Sequence, residues 1–221
     1  MKSRHEIKHT VSYSDILQLR NRLSKVMKQD SHCGKDGTYL VRSLYFDNVW
    51  DKALREKLDG VNKREKFRIR YYNEDTSFIR LEKKSKINGM CQKESVVITK
   101  EMCERILNGD IGFLLQSGQP LLTELYAKMR FQLLRPKCVV VYCRECFLHP
   151  LGNVRVTLDT KMQKGQNIKE FLNPASILLP LGKASVLEVK WDEYLPQIVR
   201  DAVQLKHRQS TSFSKYAASR L

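Results

Sequence analysis

The sequence predicts a mainly antiparallel fold of the α+β class, in which strands close into a barrel and a few helices cover its outside. Three observations lead to this prediction: segments that alternate charged and apolar residues, charges that repeatedly share a strand face, and helical stretches between the strands. A closed barrel accounts for the repeated charged faces, because they can line a water-filled interior while the apolar faces pack outward against helices.

The strands are predicted from alternation with a period of two, since residues i, i+2 and i+4 of a strand project to the same side. The segments with this pattern are residues 4–8, 67–72, 79–84, 154–159 and 186–191. A further strand follows Pro136, where Tyr142 and Arg144 fall on one face. Strands therefore make up most of the charged part of the chain.

The helices are predicted from apolar residues that recur along one side. The clearest helix covers residues 14–29, with Ser12 or Ser14 as its N-cap. Others are predicted over residues 100–108, over 121–134 where Pro136 ends the pattern, and from about 196 to 205. Residues 30–38, with two glycines, read as a loop. We expect these helices to cover a sheet.

Length and charge restrict the architecture and the partner. At 221 residues the chain can bury one substantial core, so we expect a single domain over residues 1–221. Lys and Arg number 40 against 24 for Asp and Glu, a formal net charge of +16. Such an excess favours a polyanionic partner: nucleic acid, anionic lipid or a phosphate compound. Composition alone leaves these three open.

Targeting and cysteine patterns are consistent with a cytoplasmic protein. The chain begins with charged residues and lacks the apolar stretch of a secretory signal, and no apolar run approaches the roughly 20 residues of a membrane span. Its six cysteines lack the regular spacing of a disulfide framework. Cys143 and Cys146 have C-x-x-C spacing, but positions three apart in a strand face opposite sides. We therefore predict no metal or redox role for this pair.

Charges of both signs share the predicted strand faces. The same-face groups are Arg4 with Glu6 and Lys8, Arg68 with Arg70, Arg80 with Glu82, Lys84 and Lys86, and Glu188 with Lys190. For any one strand, a charged face that points outward to solvent would be a sufficient explanation. The repeated E-x-K units at Glu6, Glu82 and Glu188 instead favour charged faces that point into the interior of the barrel. Converging cations are unfavourable without an anion, so the interior should bind phosphates, while the carboxylates suit Mg²⁺ or Mn²⁺.

Seven short motifs occur along the chain in a recognisable order. They are R-H-E-I-K at 4–8, S-L-Y-F-D at 43–47, K-L-D-G at 57–60, R-E-K-F-R-I-R at 64–70, L-E-K-K at 81–84, L-E-V-K at 187–190 and F-S-K-Y at 213–216. Together they resemble the VTC domain of the triphosphate tunnel metalloenzymes, also called CYTH-like proteins. The resemblance covers essentially the whole chain and implies a closed antiparallel barrel of about eight strands, the triphosphate tunnel, with peripheral helices.

The resemblance also implies an activity and a set of site residues. Polymerase members of the family transfer the γ-phosphate of ATP to a growing inorganic polyphosphate chain that threads the tunnel. The predicted phosphate-binding residues are Lys8, Arg68, Arg70, Lys84, Lys86, Lys93, Tyr142, Arg144, Lys190, Ser214 and Lys215. The predicted ligands of Mn²⁺ or Mg²⁺ are Glu188, Glu6 and Glu82. Phosphoryl transfer depends on positioning and charge neutralisation, so no nucleophilic side chain is assigned.

Two other functions stay open at this point. A metal-dependent triphosphatase or polyphosphatase could use the same tunnel, although Arg4 stands where the hydrolase branches of the family carry the first of two glutamates. A non-catalytic binder of polyphosphate or nucleic acid is also compatible with the charge, because counterion release alone can drive such binding. Nucleic acid is the less expected partner, since glutamates recur on the basic faces. The sequence leaves the oligomeric state open.

Overall fold

The computed structural model describes residues 4–88, 90–205 and 209–221, and these form ten strands and seven helices. The strands are β1 His5–Val11, β2 Lys28–Gln29, β3 Tyr39–Asp47, β4 Arg64–Tyr72, β5 Asp75–Ile87, β6 Met90–Ile98, β7 Arg135–His149, β8 Val154–Gly165, β9 Leu178–Pro180 and β10 Ser185–Trp191. The helices are α1 Tyr13–Val26, α2 Lys52–Leu58, α3 Lys100–Leu107, α4 Gly112–Leu115, α5 Pro120–Phe131, α6 Gln197–Val203 and α7 Lys215–Ala218. The predicted α+β class with a mainly antiparallel sheet is confirmed.

The chain divides into two compact units. The first comprises Met1–Leu40, Tyr142–Met162 and Pro180–Ser214, and the second comprises Val41–Val141, Gln163–Leu179 and Lys215–Leu221. The expectation of one domain over residues 1–221 stays a prediction.

The first unit places two helices on one face of an antiparallel sheet. β10 pairs with β1 on one side and with β8 on the other, and β2 pairs with β7. α1 contacts α6, and their apolar residues join those of the strands in a single core that includes Leu19, Leu23, Leu158, Leu187 and Val199. Burial of these side chains holds the helices against the sheet.

The second unit is an antiparallel sheet in the strand order β3-β4-β5-β6. Asn73 and Glu74, which connect β4 to β5, both have positive φ, as a two-residue hairpin turn requires. Leu44, Ile69 and Leu81 follow one another across β3, β4 and β5 on a fully buried face. α3 contacts β5 and α5 contacts β6, so helices cover this sheet as predicted.

The hydrogen bonding does not close a barrel. Among the described residues, β1 pairs only with β10 and β6 pairs only with β5, whereas a closed barrel requires every strand to pair on both sides. The expected closed eight-stranded barrel is therefore wrong. Alternation shows which side chains share a face of a strand, but it carries no information about pairing at the two ends of a sheet.

None of the helices formed by residues 4–88, 90–205 and 209–221 is long and apolar enough to cross a bilayer.

Candidate functional site

The strand register of the second unit gathers predicted phosphate ligands on one face. Arg68 on β4 lies opposite Glu82 on β5, and Lys84 on β5 lies opposite Lys93 on β6. Directly opposed residues project to the same side of a sheet. This side, the basic face of the second unit, carries Arg64, Lys66, Arg68, Arg70, Arg80, Glu82, Lys84, Lys86 and Lys93. The predicted sharing of a strand face by Arg68 and Arg70, and by Arg80, Glu82, Lys84 and Lys86, is confirmed.

Glu82 lies inside this cluster of cations. Arg68 Nε and Nη2 both lie 2.6 Å from Glu82 Oε2, and Lys93 Nζ lies 2.5 Å from Oε1. Burial by itself would raise the pKa of Glu82, but Arg68, Arg70 and Lys93 outweigh it and hold the pKa well below its usual range. Glu82 is therefore an internal counter-ion that offsets part of the positive charge.

Arg70 and Lys215 extend the same face. Arg70 is buried and its Nε donates a hydrogen bond to Ser43 Oγ at 2.9 Å. Burial would raise the pKa of Tyr45, yet the positive charges of Arg68, Arg70 and Lys215 hold it below its ordinary value. Lys215 is half-buried at the start of α7 and acts on the same phenol as the two arginines. The structure thus brings Lys215 together with residues far from it in sequence.

The helix that carries Lys215 is anchored by its neighbours. Tyr216 Oη donates to Asp47 Oδ2 at 2.5 Å, and the same carboxylate accepts from the backbone N–H groups of Ala53 and Leu54. Arg220 donates two hydrogen bonds to Asp51, at 3.0 and 3.1 Å. These contacts fix α7 at both ends and so determine where Lys215 lies.

The first unit carries an alternating set of charges on β1 and β10. Glu6 lies opposite Lys190 and Lys8 lies opposite Glu188. Lys8 Nζ is 2.9 Å from Glu6, while Lys190 Nζ is 2.5 Å from Glu188 and 3.6 Å from Glu6. One ammonium group is therefore shared by two carboxylates. Four predicted site residues are brought together here.

Arg144 on β7 belongs to the same unit and is held by a residue that the sequence did not indicate. Its Nε and Nη2 bind Asp159 at 2.6 and 2.7 Å, and Nη2 lies 3.8 Å from Glu188. Its guanidinium carbon lies 5.3 Å from the ring centre of Tyr142. Burial would lower the pKa of Arg144, but Asp159, Tyr142 and Glu188 raise it well above its ordinary value. Ser214 is half-buried, directly before α7.

Oxygen donors suited to a divalent cation occur in the first unit. Glu6 and Glu188 are neighbouring carboxylates, and Thr157 lies opposite Glu188. Thr157 Oγ1 is buried with no hydrogen-bond partner among the described residues. Hard oxygen ligands of this kind fit Mg²⁺ or Mn²⁺, which bind one or two carboxylates and keep other positions for phosphate oxygens and water.

The three predicted metal ligands do not form one described cluster. Within residues 4–88, 90–205 and 209–221, no group of three or more His, Cys, Asp or Glu side chains could hold a metal ion. Glu6 and Glu188 lie in the first unit and Glu82 in the second, where Arg68 and Lys93 bind it. A metal site that includes Glu82 stays a prediction.

Comparisons with known proteins agree with the fold. A family model described as the VTC domain matches residues 3–221. Among solved structures 41 chains match, including the PH1012 protein from Pyrococcus horikoshii OT3, with a TM-score of 0.52, 15% identity and 97% of each chain covered. A candidate adenylate cyclase from Bacillus halodurans matches with a TM-score of 0.49 and 15% identity over 86% of this chain and 82% of its own. No curated protein matches.

Proposed function

Because the chain belongs to the VTC domain family, we propose that it is a phosphotransferase that extends inorganic polyphosphate with the γ-phosphate of ATP. The family match supports an enzyme that acts on triphosphate-type substrates. The polymerase reaction, ATP as the phosphate donor and a cytoplasmic location are parts of this proposal.

The basic face of the second unit is the observation that carries the proposal. Arg68 and Arg70 lie on it two residues apart, and Lys84, Lys86 and Lys93 continue it across β5 and β6. Glu82 neutralises only part of this charge. A chain of phosphate groups matches such a surface, because its oxygens accept several charge-assisted hydrogen bonds at once and arginine can bind them in bidentate fashion.

The first unit supplies the groups that would hold a divalent cation. Glu6 and Glu188 would bind it, with Thr157 beside them, and Lys8 and Lys190 would contact phosphate oxygens near it. When bound, the cation would neutralise phosphate charge and favour attack on phosphorus. Arg144 stays protonated and fixed by Asp159, so it can offer its remaining N–H groups to an anion without reorganisation.

The test is to incubate the purified protein with ATP and Mn²⁺ and to separate phosphate chains on a gel. Long chains formed together with ADP would support the proposal. Free phosphate without chains would indicate a triphosphatase, and binding of tripolyphosphate without turnover would indicate a binder. Either result would overturn the polymerase assignment.

A matched pair of variants makes the test specific for the basic face. Arg68→Ala should abolish chain synthesis or reduce it at least tenfold, as expected for loss of a charged hydrogen-bonding group from the site. Arg105→Ala removes the same charge from an exposed arginine that pairs with Asp110 and lies over Phe113, and it should leave synthesis unchanged. Equal effects of the two variants would indicate a general effect of net charge.

A further inference from the structure

Tyr45 has a buried phenol on the basic face of the second unit. It lies on β3 directly opposite Arg68, and Ser43 lies opposite Arg70 on the same side. The side chain is only 7% exposed, and its ring centre is 5.5 Å from that of Tyr216 on α7. Burial and packing against Tyr216 restrict the movement of the ring.

Positive groups act on this phenol. Arg68, directly opposite on β4, forms a hydrogen bond with it, and the charges of Arg70 on β4 and Lys215 on α7 also favour its ionised form. Behind this layer, Glu82 on β5 pairs with Arg68, and Lys66 lies 5.3 Å from the ring centre of Tyr216. Tyr72 on the same sheet is another phenol influenced by Arg70 and Arg68. The cations that act on the Tyr45 phenol are the same ones that the proposed function assigns to phosphate.

We propose that Tyr45 is a phosphate-binding residue, whose Oη donates a hydrogen bond to a non-bridging oxygen of the phosphate chain between Arg68, Arg70 and Lys215. This inference rests on the proposed function and adds a ligand to it. A phenol contributes a donor without adding charge to an already crowded set of cations. Because the ring is already buried and fixed, binding costs little side-chain entropy.

The proposal predicts a specific change in affinity. In the absence of metal and nucleotide, Tyr45→Phe should weaken tripolyphosphate binding about tenfold by calorimetry, the size expected for loss of a hydrogen bond to a charged group. Tyr71→Phe is the matched control. Tyr71 lies on the opposite face of the same sheet and donates its hydroxyl to Phe171 O at 2.7 Å, so its variant should bind as the wild type does.

A second measurement needs no change at Tyr45. In a Tyr72→Phe background, the phenolate absorbance that appears at the lowest pH should belong to Tyr45, because cations hold its pKa below the ordinary value. Bound tripolyphosphate should move this ionisation to higher pH, since the anion disfavours a phenolate beside it. An ionisation that stays in place when tripolyphosphate binds would overturn the proposal.

The outcomes separate the inference from the proposed function. If wild-type protein does not bind tripolyphosphate, the proposed function fails. If the wild type binds and Tyr45→Phe binds equally well, only the role of Tyr45 is overturned. Thermal melting of each variant shows whether a loss of affinity comes from a loss of fold. If Tyr45→Phe does not fold, the titration of the Tyr45 phenol with and without tripolyphosphate tests the role of Tyr45.

Discussion

Arg70 differs from the other cations of the basic face in its degree of burial. It is 5% exposed, and its Nε donates a hydrogen bond to Ser43 Oγ. Arg70 adds positive charge beside Arg68, which favours the binding of an anion. We therefore expect Arg70 to contribute to phosphate binding.

Arg70→Ala should weaken tripolyphosphate binding by about one to two orders of magnitude, because a charge-assisted hydrogen bond is lost. The melting temperature without ligand should fall little, since the change also relieves repulsion. Calorimetry and thermal melting measure the two effects. Unchanged affinity together with a large fall in melting temperature would contradict the prediction and assign Arg70 a structural role.

Glu82 makes stability depend on pH in the acid range. Its pKa is held below the usual value in the folded protein, so its contribution is present above the unfolded-state pKa of about 4.3 and is lost as pH falls below it. Glu82→Gln should destabilise the protein at pH 7, because Arg68 and Lys93 lose their counter-ion. The difference in free energy of unfolding between Glu82→Gln and the wild type should become smaller as pH falls from about 5 toward 3. Urea unfolding at several pH values tests this, and a constant difference would argue against it.

Site residues that recur with the period of two of a strand could be predicted from the sequence. Site residues whose position depends on strand pairing or on a distant helix could not. Alternation placed Arg68 with Arg70 on the face of one strand and Glu82 with Lys84 on the face of another, and the strand register shows that the two faces lie on one side of the sheet. Asp159 and Tyr45 could not be predicted, since their roles arise from strands paired across the sheet and from α7. Arg42 does not follow the separation of charged and apolar faces. It is fully buried on the apolar face of the sheet, where it donates hydrogen bonds to Ser176 Oγ and Asn173 O.

At the scale of elements, α1, α3, α5 and α6 were predicted within about three residues at each end. Ser12 caps α1 with a reciprocal hydrogen bond to Asp15, a signal that is visible in sequence. α4 and α7 were missed because they have four residues each and make too few turns to show a helical period, and the seven-residue α2 was missed as well. β3 was missed as a strand because it is buried almost throughout and shows no alternation.

The attachment of α7 provides a prediction at this scale. Burial and Asp47 both raise the pKa of Tyr216, which is therefore a neutral donor to that carboxylate. Tyr216→Phe should lower the free energy of unfolding by about 1–3 kcal/mol, the cost of leaving a buried charged acceptor without one partner. It should also weaken tripolyphosphate binding, because Lys215 precedes it in the same helix.

The exposed Tyr13 offers a control for this experiment, since Tyr13→Phe removes the same atom from a side chain that is 74% exposed. Denaturant unfolding and calorimetry of both variants measure the effect. Stability and affinity like those of the wild type in Tyr216→Phe would show that the hydrogen bond to Asp47 does not position the helix.

Because the whole molecule has a formal charge of +16, its melting temperature should depend on the concentration of salt and of anionic ligands. Self-repulsion of the folded state weakens when salt screens it, so moderate salt should raise the melting temperature of the free protein while weakening tripolyphosphate binding. Tripolyphosphate at a hundred times its Kd should add about 2.7 kcal/mol of stability by mass action. Melting curves at increasing salt, with and without tripolyphosphate, test both effects. Affinity that does not change with salt would contradict the electrostatic account.

The shared ammonium of Lys190 lies at the two carboxylates that would hold a divalent cation. Glu6 and Glu188 would hold the ion, and Lys190 would compete with it because like charges repel. With the ion bound, Lys190 would be available to contact a phosphate, so ion binding and phosphate binding would be coupled. Lys190→Met should accordingly bind Mn²⁺ more tightly than the wild type and lose the increase in phosphate affinity that Mn²⁺ confers.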